Sequence, residues 1–268
     1  MNWENTIKNI RNKKEFSDLV RDAYFDADLN LNLERYKGSE EFLCTKDLIK
    51  KYANKSKDLK IIDIGAGNGI STLSFAEEGY YVYSLEPDPS ETVGYGAIKQ
   101  LVKEKQLENV EIIPSYCESI LLKDNTIDVA FARQAMHHAA NLEQFLIEIY
   151  RILKPGGVLL TVRDHVIKKE ADKKTFLDSH PLHKYYGGEN AYTLVEYTST
   201  MKKVGFNVVE QLRPFDSPIN YAPLRTDDIR KKMRFMGKYD FGLKLGIMYL
   251  ANKYKNTPGE LHSFVCIK

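Results

Sequence analysis

Three glycines at alternate positions, Gly65, Gly67 and Gly69, follow an apolar run in KIIDIGAGNGISTLSF, Lys60 to Phe75. A glycine-rich turn between a strand and its helix lets a ligand approach the bare backbone, with the helix N-terminus behind it. Glu86 stands 21 residues after Gly65, at the end of the next apolar run, YYVYSLE. A carboxylate there can accept hydrogen bonds from both hydroxyls of a ribose and would repel a 2′-phosphate. The dinucleotide form of the turn needs a glycine at its sixth position, where Ile70 stands, and there is no GxxxxGK[ST] phosphate loop. The turn therefore suits a closely packed ligand that carries a ribose and no pyrophosphate.

A second set of residues titrates near neutral pH. Four of the six histidines are candidates for proton transfer: His137, His138, His165 and His183. Imidazole suits the removal of a proton from a hydroxyl or an ammonium near pH 7. His165 follows Arg163 and Asp164, and Asp164 is expected to orient it. His165 and His137 are the candidate catalytic residues.

The elements that must position these groups are legible in the periodicity. LKIIDI is a short continuous apolar run, as expected of a strand buried on both faces. A helix follows to Gly79, then the strand YYVYSLE, and then a helix expected to begin at Pro89 and run to about Lys105. VEIIPS and IDVAFARQ read as the third and fourth strands. Asn141 caps a helix with Leu142, Phe145, Leu146, Ile149 and Leu153 on one face, and KPGG leads into a fifth strand, VLLTVRDH. TLVE, Thr193 to Glu196, is a capping box that opens a helix to about Val204, and GFNVVEQL and HSFVCIK read as the last strands. Residues 3–54 read as helical apart from a loop expected at DADLNLNLERYKGSE. Strands alternating with helices imply a mostly parallel sheet covered on both faces. His137, His138 and His165 then follow carboxyl ends of strands, where open α/β sheets bind ligands.

Composition excludes several classes. The chain has 268 residues, 43% hydrophobic and 28% charged, with a net charge of +2. That balance argues against a nucleic-acid or anionic-membrane partner. The three cysteines, Cys44, Cys117 and Cys266, form no CxxC pair, which removes the zinc-ribbon and thioredoxin readings and suggests a reducing compartment. The polar N-terminus has no signal-peptide core, and FGLKLGIMYLANKY is too short and too charged to span a bilayer. A soluble cytoplasmic protein is expected.

Four motifs in register, IIDIGAGNG, SLEPDPS, IDVAFARQAMHH and LKPGGVLL, resemble the class I S-adenosylmethionine-dependent methyltransferases of the small-molecule type, across roughly residues 59–165. The resemblance implies a Rossmann-like α/β fold: a seven-stranded, mostly parallel sheet with helices on both faces and an antiparallel last strand. It implies S-adenosyl-L-methionine as cofactor. Asp63, Gly65, Ala66, Gly67 and Asn68 would hold its methionine end, Glu86 its ribose, and Pro87 and Asp88 would lie beside the adenine. Family members often carry an acidic residue after strand three that reaches the adenine amino group. Here SYCES puts Tyr116 and Cys117 at those places, so Glu118 or the Cys117 backbone is the expected substitute. Arg133 and Gln134 would lie near the methionine carboxylate or the methyl group. The HH pair often packs or caps the next helix in this family, and His137 is the more open of the two. The acidic pair that catechol-type enzymes use for a metal ion is absent, so no metal is expected.

Residues 1–58 are expected as an N-terminal helical cap on a domain spanning 59–268, with substrate-side insertions at 166–191 and 214–258. Tyr24, Arg35 and Tyr36 of the cap are candidate contacts. In YYGGENAY, Gly187 and Gly188 suggest a tight turn, and Tyr185, Tyr186 and Glu189 could line the pocket. This stretch, with PFDSPINYAPL, resembles methyltransferases of bacterial glycan and secondary-metabolite pathways. Residues 214–258 are expected to be a lid whose apolar side, with Phe215, Tyr221, Phe235, Met236, Tyr239 and Phe241, faces the site. The expected function is methyl transfer to a hydroxyl or amine of a small polar acceptor by a monomer or homodimer. Methylation of RNA or protein, and a non-catalytic cofactor-binding role, are the alternatives.

Overall fold

The computed structural model describes residues 3–53, 58–180, 182–186 and 189–268. The strands in chain order are β1 (Lys60–Ile64), β2 (Tyr81–Leu85), β3 (Val110–Ile113), β4 (Ile127–Arg133), β5 (Leu153–Ile167), β6 (Tyr192–Thr193), β7 (Asn207–Leu212) and β8 (Gly259–Ile267). Across the sheet they run β3-β2-β1-β4-β5-β8-β7. β1 to β5 run parallel to one another, and β8 runs antiparallel between β5 and β7. The seven strands on this path are those expected, and the last strand is antiparallel. The eighth, β6, is a two-residue pairing of Tyr192 and Thr193 with Val166 and Ile167.

Helices cover both faces. The N-terminal ones are α1 (Trp3–Arg11), α2 (Ser17–Asp22), α3 (Leu29–Lys37) and α4 (Glu40–Tyr52). Then come α5 (Ile70–Glu77), α6 (Tyr95–Glu104), α7 (Leu142–Ile152), α8 (Lys173–Ser179), α9 (His183–Tyr186), α10 (Leu194–Val204), α11 (Pro218–Tyr221), α12 (Thr226–Lys232) and α13 (Asp240–Tyr254). Successive strand residues point to opposite faces, which splits the core in two. Ile62, Ala130, Leu159 and Phe264 pack under α7 and α10, against Leu146, Ile149, Tyr197 and Met201. Ile61, Phe131, Leu160 and Val265 pack on the other face, under α4 and α5, against Phe42, Ile49 and Phe75. Among the described residues no helix is long and apolar enough to cross a membrane.

Two helix boundaries differ from the expectation. The predicted loop at 26–40 contains α3. Asp28 caps it by accepting the Leu31 N–H at 3.0 Å, and Leu29, Leu33 and Tyr36, one face at helical spacing, are buried. The helix predicted from Pro89 begins instead at Tyr95. The intervening backbone is spent on side-chain turns: Glu86 Oε1 accepts the Asp88 N–H, Asp88 Oδ1 accepts the Ser90 N–H, and Ser90 Oγ accepts from Thr92 and Val93. Such local bonds compete with a helix. The predicted caps at Asn141 and the box at Thr193 and Glu196 are present.

The segment 214–258 differs from the expected lid. Phe215 stacks near Tyr221 and Tyr254, and Tyr221 packs with Ile229 and Leu250. Phe235, Met236, Tyr239 and Phe241 are exposed. The apolar side that meets the protein is therefore that of Gly242, Gly246 and Leu250, where α13 packs closely on Ile229 and Met233. Of the six residues expected on the apolar side, Phe215 and Tyr221 pack inward and the other four face solvent.

A buried charge group ties the N-terminal helices to the sheet. Arg133, at the end of β4, donates to Glu41 of α4 through Nε at 2.6 Å and through an Nη at 3.3 Å. Arg163 of β5 lies 3.8 Å from the same carboxylate and donates to the carbonyls of Ile219 and Ala222, both at 2.9 Å. Glu41 is 1% exposed. Burial pushes its carboxyl up, but Arg133 and Arg163 outweigh that and hold it below the usual value. Its contribution to stability is thus present above the ordinary carboxylate range and is lost as pH falls. Glu41→Ala leaves two buried guanidiniums without their counter-ion and should lower the unfolding free energy at pH 7 by about 3–5 kcal/mol, read by urea denaturation.

Candidate active site

The loop after β1 is held by β2: the N–H groups of Gly65 and Ala66 donate to the Leu85 carbonyl at 2.9 and 3.2 Å. Gly65 and Gly67 have φ of 65° and 56°, in the left-handed region that favours glycine. Their reasons for being glycine differ. A Cβ on Gly65 would come within 2.8 Å of the Ala135 Cβ, whereas one on Gly67 would meet nothing nearer than the Val93 carbonyl at 3.9 Å. Gly65 is a close contact with the chain itself, whereas at Gly67 a Cβ would make only an ordinary contact.

Glu86 closes this loop. Its Oε2 accepts the Gly67 N–H at 2.7 Å and its Oε1 the Asp88 N–H at 2.9 Å. It is 7% exposed, and burial outweighs the two hydrogen bonds to lift its pKa to about 7. Asp63, at the end of β1, is more deeply buried, and burial raises its pKa too. Its Oδ2 accepts the Ser71 and Thr72 hydroxyls, both at 2.6 Å, while Oδ1 is buried with no hydrogen-bond partner among the described residues. The Asn68 amide donates to the Tyr24 carbonyl at 2.8 Å, which docks the N-terminal helices onto the loop. Pro87 is half-buried beside Glu86. Cys117 packs against the core under α7, where burial raises its thiol well above the usual value. The Glu118 carboxylate accepts the Ala140 N–H at 3.2 Å.

A second group forms where β4 and β5 end. His137 is 1% exposed. Its backbone N–H and its Nδ1 both lie 3.1 Å from Asp164 Oδ1, and its Nε2 lies 3.5 Å from Glu189 Oε2. Its ring is 4.1 Å from that of His138 and 4.5 Å from that of His165, which in turn is 5.1 Å from His180. Burial pulls the His137 pKa down, but the bonds to Asp164 and Glu189 outweigh it and set a value of about 8. Burial, followed by the neighbouring positive charge of His137, drives His165 well below the ordinary histidine value. One imidazole is therefore charged and its neighbour neutral near pH 7.

The expected pairing of Asp164 with His165 is replaced by one with His137. The turn after β4 brings both the His137 N–H and its ring onto Asp164, and His165 packs instead between Phe176 and the other imidazoles. Among the cap candidates, Tyr36 is core, Arg35 pairs with Asp26 at 2.7 Å, and Tyr24 lies beneath the Arg133 guanidinium. Tyr185 packs on Phe16. Gly187, Gly188 and the side chain of Tyr186 lie outside the described residues. Sequence reasoning missed Glu41 and His180. His180 sits in HPLHKYYGGEN three residues from the flagged His183, so the local signal was there, whereas nothing near Glu41 marks it as the partner of two distant arginines.

Residues 62–161 match the family described as "Methyltransferase domain". Over this stretch the chain is similar to the class I S-adenosylmethionine-dependent methyltransferases. It is 31% identical over 143 residues to the uncharacterized methyltransferase YcgJ of Bacillus subtilis, covering 50% of this chain and 52% of that one. It is 26% identical over 208 residues to phosphoethanolamine N-methyltransferase 2 of Caenorhabditis elegans, covering 75% and 44%. The chain thus spans about half the length of these curated relatives. Its fold is similar to that of geranyl diphosphate C-methyltransferase from Streptomyces coelicolor, with a TM-score of 0.63 at 12% identity over 97% of this chain and 87% of that one. Substrates in the family vary, and the family's cofactor is S-adenosylmethionine.

The state of Glu86 has a measurable consequence in the protein alone. Its folded pKa of about 7 lies above its unfolded value, so the fold favours the neutral form and loses that advantage as pH rises from about 4.5 to 7. The unfolding free energy of the wild type minus that of Glu86→Gln should fall by up to about 3 kcal/mol between pH 4 and pH 8, as read by urea denaturation of both proteins across that range.

Proposed function

We propose that the protein transfers the methyl group of S-adenosyl-L-methionine to a hydroxyl or amine of a small polar acceptor. The observation that carries this reading is the pairing of Glu86 with Gly67: a carboxylate held by two backbone N–H groups at the mouth of the glycine loop. The free lone pairs of Glu86 would take the ribose hydroxyls, and the backbone of Gly65, Ala66, Gly67 and Asn68 would line the methionine end. Asp63 Oδ1, buried without a donor, would take an N–H of the ligand. Pro87, Cys117 and Glu118 would border the adenine, with burial making the Cys117 thiol a packing surface. Arg133, engaged by Glu41, would act by holding Tyr24 and α4 at the pocket.

The cofactor supplies a methyl group already activated on a sulfonium, so the protein's task is to align the acceptor, loosen its proton and keep water out. The group at His137 and His165 is suited to the proton. It lies at the carboxyl ends of β4 and β5, the end of the sheet where the glycine loop also opens. The balanced charge of the chain favours a small acceptor over nucleic acid. Transfer of labelled methyl from S-adenosylmethionine into a metabolite extract tests this reading. Label appearing only in RNA or protein, or nowhere, overturns it.

Two substitutions separate the halves of the site. Glu86→Ala removes two charge-assisted hydrogen bonds of about 1.5–3 kcal/mol each before compensation by water. The affinity for S-adenosylhomocysteine, measured by calorimetry, should fall at least tenfold, roughly. Gly67→Val should be worse, because a branched side chain would occupy the space proposed for the ligand and strain a φ of 56°. His165→Ala should lower kcat by about 10²–10⁴ while leaving S-adenosylhomocysteine affinity near normal.

A further inference from the structure

We propose that His137, His165 and Glu189 form a site for one divalent transition-metal ion of the zinc type. The ligand atoms of these three side chains all lie within 4.8 Å of one another. His137 Nε2 and Glu189 Oε2, 3.5 Å apart, already stand at nearly the edge length of about 3.4 Å of a tetrahedron with metal–ligand bonds of about 2.0–2.1 Å. The remaining pairs, at up to 4.8 Å, need to close by at most about 1.4 Å to reach that edge, within reach of side-chain rotation. The same 3.5 Å is long for an ion pair sealed by a hydrogen bond, which runs at about 2.7–2.9 Å.

The surroundings of His137 supply the second argument. A metal-bound imidazole usually donates its other N–H to a carboxylate, which fixes the tautomer and the ring. Here Nδ1 faces Asp164 Oδ1 at 3.1 Å, and the His137 backbone N–H donates to the same oxygen. With the proton on Nδ1, the Nε2 lone pair points toward Glu189. The three ligands come from separate parts of the chain: the turn after β4, the end of β5, and the connector before β6. His180 Nδ1, buried and without a hydrogen-bond partner among the described residues, lies 4.0 Å from Glu189 Oε1 and is within reach as a further ligand. Two imidazoles and one carboxylate select zinc-type ions over magnesium or calcium, which take oxygen ligands. The acidic pair whose absence argued against a metal in the sequence is thus replaced by a different donor set.

For the role of the ion, this inference rests on the methyl-transfer reading: an ion held here would polarise an acceptor hydroxyl, and His165 would serve as its ligand. For the existence of the site it does not. Chelator-treated full-length protein is titrated with Co²⁺ alone and with Zn²⁺ alone, with Mg²⁺ for comparison. One equivalent of Co²⁺ should bind with visible absorption bands of a low-coordinate site, and Zn²⁺ should displace it. Glu189→Gln and His165→Asn should each weaken binding at least tenfold, roughly, and Asp164→Asn by about 10–100-fold. His262→Gln, which alters a histidine of β8 paired with Gln211 of β7, should leave it unchanged. Circular dichroism checks that each variant is folded, and Glu189→Gln decides should the more buried histidine variants unfold. Absence of saturable Co²⁺ or Zn²⁺ binding below millimolar concentration overturns the proposal, as does binding that survives Glu189→Gln and His165→Asn intact. Metal binding lost in those variants, with no methyl transfer to any acceptor, upholds the site and removes the proposed function. Unchanged methyl transfer by a protein that binds no ion does the reverse.

Discussion

The Glu41 carboxylate, buried between two arginines, is the contact on which the surroundings of the site depend. Arg133 ends β4, Arg163 lies in β5, Glu41 belongs to α4, and Arg163 also holds the carbonyls that end α11. Four elements distant in sequence thereby share one charge group. Desolvating three ions is unfavourable, and their attraction repays it only when geometry and hydrogen bonds are good. Such a group adds little net stability but tolerates few other arrangements. It fixes where the N-terminal helices sit, and through Tyr24 and Asn68 it fixes the glycine loop against them.

Within that frame the two halves of the site use burial in opposite ways. At Glu86, burial is countered only by backbone N–H groups, so the carboxyl titrates near neutrality and is primed to gain from further donors. At His137, two carboxylates overcome burial and keep the imidazole charged, while the same charge suppresses protonation of His165. Groups of like type pushed to opposite states by their surroundings are a common mark of a working site. Backbone strain gathers here as well: Gln134, just after β4, and Arg163, at an irregularity within β5, adopt φ of 49° and 62°. Left-handed conformations of non-glycine residues persist where the surroundings over-determine them.

The 214–258 segment shows where an expected apolar face fails to form. Its long helix α13 carries almost no amphipathic pattern, because its close-packed side is lined by glycines, which a hydrophobicity pattern scores weakly. Gly242 and Gly246 let α13 approach its neighbours, and the larger apolar residues are left outside.

The sequence by itself determined the sheet, the glycine loop and the position of Glu86, because each is written in local periodicity. Apolar runs of strand length, a glycine triplet after one of them and a carboxylate at the end of the next need no distant partner to be recognised. It also determined the caps at Asn141 and Thr193, whose hydrogen bonds span three residues. The missed helix α3 was legible too, in Asp28 and the spacing of Leu29, Leu33 and Tyr36. Only the tertiary structure decided which charges meet. Glu41 lies 92 residues from Arg133 and Asp164 lies 27 from His137, and no period or spacing encodes such pairs. They are set by strand order and by the turns that follow the strands. Whether a histidine is charged, neutral or a ligand then follows from who its neighbours are and how little water reaches them, and those are properties of the folded chain alone.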